Sequence, residues 1–476
     1  MSGRKLVKHT LVYTLGSLLI NGGSFLLIPV YARNLTPEEY GIWGTITIFN
    51  TLLIAVLGLG INGIITRYYY EYQDQKEWRR FFSTITKFVL ALGLVVATLL
   101  TIYGQPLLDG LFKAVRFDPY LKIAIWGSYL GLFPLIALSL FQAKQRALTY
   151  RSYTTAAFVI LTISTFTLVV YQNMGVMGVL YGTVISGAIM APIYAVSIYK
   201  EGTTETSIEN LKSALIFGVP VMTYNITGSI TEIASRYFVG QLSTLDNLGV
   251  FNLAQQYASG LIIVATAISM AWTPIFYANA TKPNSKQHYG QIGLAILALL
   301  TTIALFLSLN AHVFLKLLPE KYIESEQIIP ILLLSYIVGN GLWILTITPI
   351  IYAKKTYVLP WLTCASGAIC IALSIALIPK LGLKGAAIAQ LTGYIALIAA
   401  TYPIAQKAYK IEYPKAKIAL LITAAAFIFA TSKAIPSDST MTELINNAAL
   451  LAIYLLALWG TKIVTPKTIA KILKSQ

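Results

Sequence analysis

Residues 292–309 read IGLAILALLTTIALFLSL, eighteen positions without a charged side chain. Such a run is typical of a helix that crosses a bilayer, because about twenty apolar residues at 1.5 Å per residue span the hydrocarbon core. The rest of the chain is similar: 57% of its 476 residues are hydrophobic, 11% are charged, and the mean hydropathy is +0.70. Soluble domains carry about 25% charged residues, so the sequence predicts an integral membrane protein.

We predict an all-α polytopic membrane protein with about 14 transmembrane helices, since fourteen stretches have this length and composition. They are predicted at 10–32, 42–66, 82–103, 121–142, 153–172, 175–198, 211–234, 248–278, 291–315, 327–352, 357–379, 384–406, 416–433 and 444–464. The stretch at 10–32 has no small-residue cleavage pattern, so it is predicted to be a span rather than a signal peptide. The loops are short, which leaves no room for a catalytic domain outside the membrane.

The charge pattern predicts the orientation. If the N-terminus lies in the cytoplasm and each span reverses the side, the cytoplasmic segments hold 25 of the 35 lysines and arginines. Positive residues accumulate on the cytoplasmic side of membrane proteins, so both termini are predicted in the cytoplasm. This bias also accounts for the net charge of +17, and no nucleic acid is expected as a partner.

The chain repeats itself weakly at an offset of 207–210 residues. Segments 35–43, 142–145 and 175–178 resemble 242–251, 352–355 and 382–385 respectively. Three matches at nearly one offset indicate two copies of a six-span unit, and an even span number inserts both copies in the same orientation. We predict a six-helix bundle at 1–205, a second at 206–410, and two additional helices with a cytoplasmic tail at 411–476.

The segment Asn34-Leu35-Thr36-Pro37-Glu38-Glu39-Tyr40-Gly41 and the 6+6+2 plan resemble the polysaccharide flippases of the Wzx (RfbX) type, within the multidrug/oligosaccharidyl-lipid/polysaccharide (MOP) exporter superfamily. The resemblance implies two six-helix bundles around a central cavity and transport by alternating access. It implies a substrate of undecaprenyl-pyrophosphate-linked oligosaccharide units for O-antigen, capsule or exopolysaccharide. A polysaccharide polymerase and a chain-length regulator are the implied partners besides membrane lipid.

Glu232 and Arg236 are the clearest candidates for the site, because they lie four residues apart on one helical face near the end of a predicted span. Ionisable residues within spans usually face a bundle interior or a watery cavity. Arg236 could hold a phosphate while Glu232 tunes it or binds a coupling cation. Alternatively, the two form a structural ion pair near the outer interface.

Two further cations, Arg33 and Arg67, lie at the ends of the first two predicted spans. They could meet the diphosphate at the edge of a cavity, or their side chains could reach to the membrane interface, as long basic side chains do. The second interpretation is favoured for Arg67, which precedes three tyrosines typical of an interfacial belt.

A set of polar residues occurs in the spans that the resemblance expects to line the cavity. They could bind sugar hydroxyls or form hydrogen bonds between helices, and as a group we favour sugar binding. The set comprises Asn21, Asn50, Asn62, Tyr224, Asn225, Asn252, Gln255 and Gln256.

Neither a cofactor nor a metal site is predicted, because the sequence has no Walker motif, no HExxH and no Cys/His cluster. Three alternatives to the oligosaccharide flippase remain. A cation-coupled drug antiporter of the MATE branch would have twelve spans and more buried acids, a lipid II flippase would have a more cationic cavity, and a glycan polymerase would have a large outer loop. No enzymatic activity is expected.

Overall fold

The computed structural model describes Phe25, residues 27–435 and residues 439–461, without the side chains of Tyr224 and Ala278. Regular structure in these ranges is helical throughout. Thirteen of the helices are long and apolar enough to cross a membrane, and they correspond to the second through fourteenth predicted spans. The prediction of an all-α polytopic fold is therefore confirmed. Most of the first predicted span lies outside the described residues.

The chain divides into two compact units, with the division after Gly249. Unit 1 comprises residues from Val30 to Gly249, and unit 2 comprises the residues from Val250 together with the short piece Phe25–Pro29. The helices up to this division are α1 (Ile28–Asn34), α2 (Pro37–Gly58), α3 (Ile61–Glu71), α4 (Gln75–Tyr103), α5 (Gln105–Leu111), α6 (Phe117–Ala143), α7 (Ala147–Tyr171), α8 (Gly175–Glu201) and α9 (Ile208–Leu242). The bundle boundaries at 205 and 410 were predicted from the sequence repeat. The division after Gly249 reflects packing and does not test them, so they stay a prediction.

The helices that follow belong to unit 2, except for the first turn of α10. They are α10 (Leu245–Ala258), α11 (Gly260–Asn279), α12 (Ser285–Leu309), α13 (Ala311–Leu315), α14 (Ile329–Tyr352), α15 (Thr356–Leu381), α16 (Leu383–Ala408), α17 (Lys415–Ala434) and α18 (Thr440–Gly460). Helix α16 packs along α15 and α14. The last two helices pack against each other and against α12, so they extend unit 2.

The segment that carries the family resemblance forms the start of α2. The Thr36 hydroxyl accepts from the Glu39 backbone N–H at 3.2 Å, and the Glu39 carboxylate accepts from the Thr36 N–H at 2.8 Å. This reciprocal capping box satisfies two backbone donors that a helix start would otherwise leave without partners. The other oxygen of Glu39 accepts from the Val176 N–H at 3.1 Å. The motif therefore fixes the start of α2 against the start of α8.

The span predicted at 42–66 is interrupted between α2 and α3. Leu59 and Gly60 have φ values of 48° and 71°, in the left-handed region that ends a helix. A Cβ on Gly60 would lie 2.3 Å from the Gly218 carbonyl oxygen of α9. The two backbones touch here, and this contact places α9 directly against α3.

The segments that match in sequence also share local backbone features. Gly175, the first residue of α8, and Gly382, which precedes α16, have φ values of 55° and 56°. Gln145 and Lys354, which follow α6 and α14, have φ values of 55° and 57°. The left-handed backbone therefore occurs at matching positions of the two segments in each pair. Two copies of one unit would show this agreement, because a helix begins or ends in one of only a few backbone conformations.

The first matched pair meets in space inside unit 1. A Cβ on Gly41 would lie 2.1 Å from the Leu245 carbonyl oxygen, and a Cβ on Gly249 would lie 1.9 Å from the Pro37 carbonyl oxygen. Each glycine thus faces the carbonyl four residues before the other. The start of α2 and the first turn of α10 cross in backbone contact at this point, which we call the glycine crossing.

Candidate functional site

A polar stripe runs along one face of α9. Asn225, Glu232 and Arg236 are seven and four residues apart, a spacing that places all three on the same side of a helix. Ser229 lies between them on that side. A Cβ on Gly228 would have no heavy atom of the described residues within 4 Å, so the described part of the chain leaves this side of α9 open.

The stripe ends in an ion pair inside the helix. Arg236 Nη2 donates to Glu232 Oε1 at 3.2 Å, with side-chain exposures of 18% and 29%. Helix α9 continues to Leu242 rather than ending near 234 as predicted. The pair therefore lies more than one turn before the helix end.

The guanidinium of Arg236 has hydrogen-bonding capacity left. Its Nε is buried and has no hydrogen-bond partner among the described residues. A buried unsatisfied donor costs about 1–3 kcal/mol, and a bound anion would remove that cost. The C-terminal end of α9 is fixed, because the Tyr237 hydroxyl and the Gln241 amide both donate to the Leu111 carbonyl, at 2.8 and 3.0 Å. Arg236 is thus held in place beside open space.

Arg67 lies at the other end of the same helix pair. Its guanidinium lies 4.5 Å from the centre of the Phe217 ring on α9 and 3.4 Å from the Glu71 carboxylate. Phe217 precedes Arg236 by nineteen residues, about 28 Å along the helix at 1.5 Å per residue. The structure does not bring the two arginines together. The side chain of Arg67 is 52% exposed, and its interfacial role stays a prediction.

The remaining candidates of unit 1 are spread over its surface. Asn62 on α3, Asn225 on α9 and Arg33 at the end of α1 are all exposed. Asn21 lies outside the described residues, as does the side chain of Tyr224.

Asn50 forms a hydrogen bond within unit 1. Its Oδ1 accepts from the Ser128 hydroxyl at 2.8 Å, and this contact joins α2 to α6. Asn50 therefore has the interhelical role that was the alternative to sugar binding.

The amides of α10 form a second polar cluster, inside unit 2. Gln255 is 3% exposed, and its Nε2 donates to Gln390 Oε1 at 2.8 Å. Gln390 Nε2 in turn donates to the Ser335 hydroxyl at 3.2 Å. This chain of hydrogen bonds joins α10, α16 and α14. Gln390 was not among the candidates predicted from the sequence. It is an amide within the span predicted at 384–406, and that position is the signal that could have identified it.

Part of this cluster is unsatisfied. Asn252 is 7% exposed, and neither atom of its amide has a hydrogen-bond partner among the described residues; the same holds for Gln255 Oε1. Native structures rarely leave buried polar atoms without partners. The cluster can therefore accept small polar groups, such as water or a hydroxyl. Gln256, on the same helix, is half-buried.

A buried ion pair at the other end of unit 1 was not expected from the sequence. The Glu201 carboxylate accepts a hydrogen bond from Trp78 Nε1 at 2.7 Å and a second from the Lys144 ammonium. Glu201 is 7% exposed. It joins the ends of α4, α6 and α8, and no feature of the sequence separates it from the loop charges nearby.

Residues 6–279 match the family described as polysaccharide biosynthesis protein. A protein of the Lsg locus of Haemophilus influenzae is 24% identical over 282 residues, which cover 57% of this chain and 66% of that protein. The chain therefore spans slightly less than two thirds of that relative's length.

Solved structures resemble this chain over most of its length. The lipid II flippase MurJ in an inward closed conformation has a TM-score of 0.75 at 13% identity, with 95% of this chain and 100% of the other covered. An inward-facing multidrug resistance transporter of the MATE family has a TM-score of 0.63 at 16% identity, with 84% and 97% covered. At these identities the likeness shows the fold alone, which this chain shares with both proteins.

Proposed function

This chain belongs to the polysaccharide biosynthesis protein family, and from that premise we propose that it translocates undecaprenyl-pyrophosphate-linked oligosaccharide units across the bacterial cytoplasmic membrane. The units would serve the synthesis of O-antigen, capsule or exopolysaccharide. The chain works as a transporter by alternating access, with no chemical step. Both termini lie in the cytoplasm in this proposal, because that orientation places most basic residues inside. A polysaccharide polymerase and a chain-length regulator receive the product.

The environment of Arg236 is the observation that best supports the proposal. The Arg236 side chain is half-buried, its Nε–H is buried and unsatisfied among the described residues, and it has a carboxylate neighbour on the polar side of α9. Arginine binds phosphate oxygens with two parallel hydrogen bonds and stays charged at any physiological pH. Glu232 keeps the guanidinium paired while the site is empty, since an uncompensated charge in the membrane is costly. A diphosphate can then take up the remaining donors of Arg236.

Each unit, taken by itself, carries polar groups suited to sugar hydroxyls. Asn225 and Ser229 extend the stripe of unit 1 away from the arginine and provide an amide and a hydroxyl for sugar groups. In unit 2, the unsatisfied amide of Asn252 offers both a donor and an acceptor, as a sugar hydroxyl requires. None of these groups is specific for one sugar, which suits a family that handles lipid-linked glycans.

The test is transport in proteoliposomes with a fluorescent undecaprenyl-pyrophosphate oligosaccharide. We expect Arg236→Gln to slow translocation about 10–100-fold, the equivalent of losing a charged hydrogen bond of about 1.5–3 kcal/mol. Because that variant leaves Glu232 without its partner, the double variant with Glu232→Gln separates phosphate binding from an unpaired buried charge. The double variant should stay slow.

The matched control is Arg79→Gln, which removes an exposed arginine before the apolar part of α4. It should transport at the normal rate. Normal transport by both Arg236 variants would exclude this arginine from substrate binding.

A lipid II flippase is the second candidate, and the likeness in fold to such a protein favours it. The same vesicles loaded with fluorescent lipid II decide between the two. Faster translocation of lipid II than of the oligosaccharide lipid would replace the first proposal by the second. Uptake of a cationic drug without movement of either lipid would indicate a MATE-type antiporter.

A further inference from the structure

Unit 2 contains an apolar groove of about 320 Å³ that the transport proposal does not use. Helices α12, α14, α16 and α17 form its walls. Its apolar lining includes Leu297, Leu345, Ile398, Tyr402, Ile418 and Ile422. The hydroxyl of Thr346, which also lines it, is bonded to carbonyls of its own helix at 3.1 and 3.2 Å. The groove therefore offers almost no polar group to a ligand along its length.

One end of the groove is closed by the ordered segment 409–414 between α16 and α17. The Glu412 N–H donates to the Lys286 carbonyl at 3.2 Å. The Tyr409 hydroxyl donates to the Ala280 carbonyl at 2.8 Å. A Cβ on Gly293 would lie 2.9 Å from the Tyr413 ring, so this ring is pressed onto α12. The closed end is thus part of the packed structure of unit 2.

The same end carries one charged residue of the lining, Lys415. Ile418 and Ile422 follow it on α17 at helical spacing, so the groove runs from Lys415 along the helix for about 10 Å, or two turns. Among the described residues Lys415 has no carboxylate partner within an ion pair, and it is exposed. Among the described residues, the helix ends and loops at this end of unit 2 carry seven more lysines, against the single acid Glu412. They are Lys282, Lys286, Lys354, Lys355, Lys407, Lys410 and Lys417.

We propose that this groove holds an acyl chain of an anionic phospholipid, with the headgroup phosphate on Lys415. Basic pockets between transmembrane helices on the cytoplasmic side are typical sites for anionic headgroups. The volume corresponds to roughly ten methylene groups, if each occupies about the 30 Å³ of a water molecule. This volume suits one stretch of a lipid chain, and the groove is too narrow for a helix about 10 Å across.

The lipid would join α17 to the rest of unit 2. The groove separates α17 from α14 and α16, and a chain of methylenes would supply the missing apolar contacts. The proposal goes beyond transport, although it rests on the proposed orientation for the leaflet from which the lipid comes. A cytoplasmic-leaflet lipid bound here would stabilise the chain independently of any substrate.

The test uses the full-length protein purified in detergent, with phosphatidylglycerol and phosphatidylethanolamine of identical acyl chains as probes. Native mass spectrometry measures binding, and thermal unfolding measures stabilisation. We expect phosphatidylglycerol to bind more tightly and to raise the Tm. Lys415→Gln should weaken its binding about fivefold, which is the equivalent of about 1 kcal/mol per basic residue at an anionic surface. Lys380→Gln, which removes an exposed lysine in the last turn of α15, outside the groove and outside this basic set, is the matched control.

A second pair of variants tests the groove itself. Ala419→Trp fills it, whereas Ala426→Trp adds the same ring at an exposed position of α17 outside the groove. Only the first should abolish selective binding of phosphatidylglycerol. Equal binding of the two lipids, or normal lipid binding by Ala419→Trp, would overturn the proposal.

The transported lipid is the competing occupant, and undecaprenyl phosphate serves as its probe. If Ala419→Trp blocks binding of undecaprenyl phosphate while phosphatidylglycerol still binds, the groove belongs to the substrate and the proposal is wrong. Selective binding of phosphatidylglycerol by a chain that moves no oligosaccharide would support this inference and refute the proposed function.

Discussion

Replacing Gly249 by alanine should separate the two segments of the glycine crossing. The added Cβ would lie 1.9 Å from the Pro37 carbonyl oxygen, whereas real Cβ atoms essentially never approach closer than 3.0 Å. The obstacle is backbone at the start of α2, so no side chain can turn away to make room. The first turn of α10 must therefore move by about 1 Å relative to α2.

Overpacking of this kind costs about 1–3 kcal/mol. Alanine is also the better helix former by about 0.5–1 kcal/mol, which offsets part of the loss. We expect a net destabilisation of about 1–2 kcal/mol, or a fall in Tm of roughly 2–8 °C at about 2–4 °C per kcal/mol for a unit of this size. Gly41→Ala should have a similar effect, because its Cβ would meet the Leu245 carbonyl oxygen at 2.1 Å.

The assay is thermal unfolding of the purified protein in one detergent, with Gly127→Ala as the control. A Cβ on Gly127 would meet its nearest neighbour at 3.9 Å, an ordinary contact, so this variant should be neutral or slightly more stable. Once one alanine has separated the segments, the second meets less resistance, and the double variant should lose less than the sum of the single losses. Unchanged stability of Gly249→Ala, or strictly additive losses, would refute the close crossing.

Two more predictions follow from the ion pairs. Glu201→Gln leaves the buried Lys144 ammonium without its counter-charge, and breaking such a pair costs about 3–5 kcal/mol. We therefore expect a larger fall in Tm than for Gly249→Ala. A much smaller fall would show that water solvates the pair. Glu326 lies outside the membrane spans and is partly buried, and burial raises the pKa of a carboxyl group. Hydrogen bonds from Lys433 at 2.5 Å and His312 at 2.7 Å outweigh this effect and hold the pKa of Glu326 below the ordinary 4.5. The resulting stability is present above the ordinary pKa and is lost as the pH falls through the lowered value. Unfolding followed from pH 6 to pH 3 should show this loss, and Glu326→Gln should weaken the pH dependence; an identical pH profile for the variant would contradict the assignment.

The sequence located the spans well and their ends less well. Mean hydropathy over about twenty residues identifies a membrane helix. It does not detect the polar helical turns that continue the helix beyond its apolar part. Helix α9 shows the difference, since it extends eight residues past its predicted end and places Glu232 and Arg236 inside the helix. The break at Leu59 and Gly60 was missed for the same reason, because two residues with left-handed backbone do not change the mean hydropathy.

The candidate site was predictable in part. The spacing of Glu232 and Arg236 identified their ion pair, since residues four apart on a helix are neighbours whatever surrounds them. Partners from distant parts of the chain were not predictable. Gln255 bonds to Gln390, 135 residues away, and Glu201 bonds to Trp78, 123 residues away. Such pairs depend on which helices pack together and in which rotation, and short loops of similar composition do not specify either.

The sequence by itself determined that this chain is a set of membrane helices with repeated segments and a biased distribution of basic residues. These properties depend on the order of residues along the chain and need no knowledge of which helices pack together. Only the tertiary structure decided that Gly41 and Gly249 touch, that Arg236 keeps an unsatisfied donor, and that a groove separates α17 from its neighbours. Those features arise from packing between helices, where a shift of about 1 Å decides whether two backbones meet or leave room for a lipid chain.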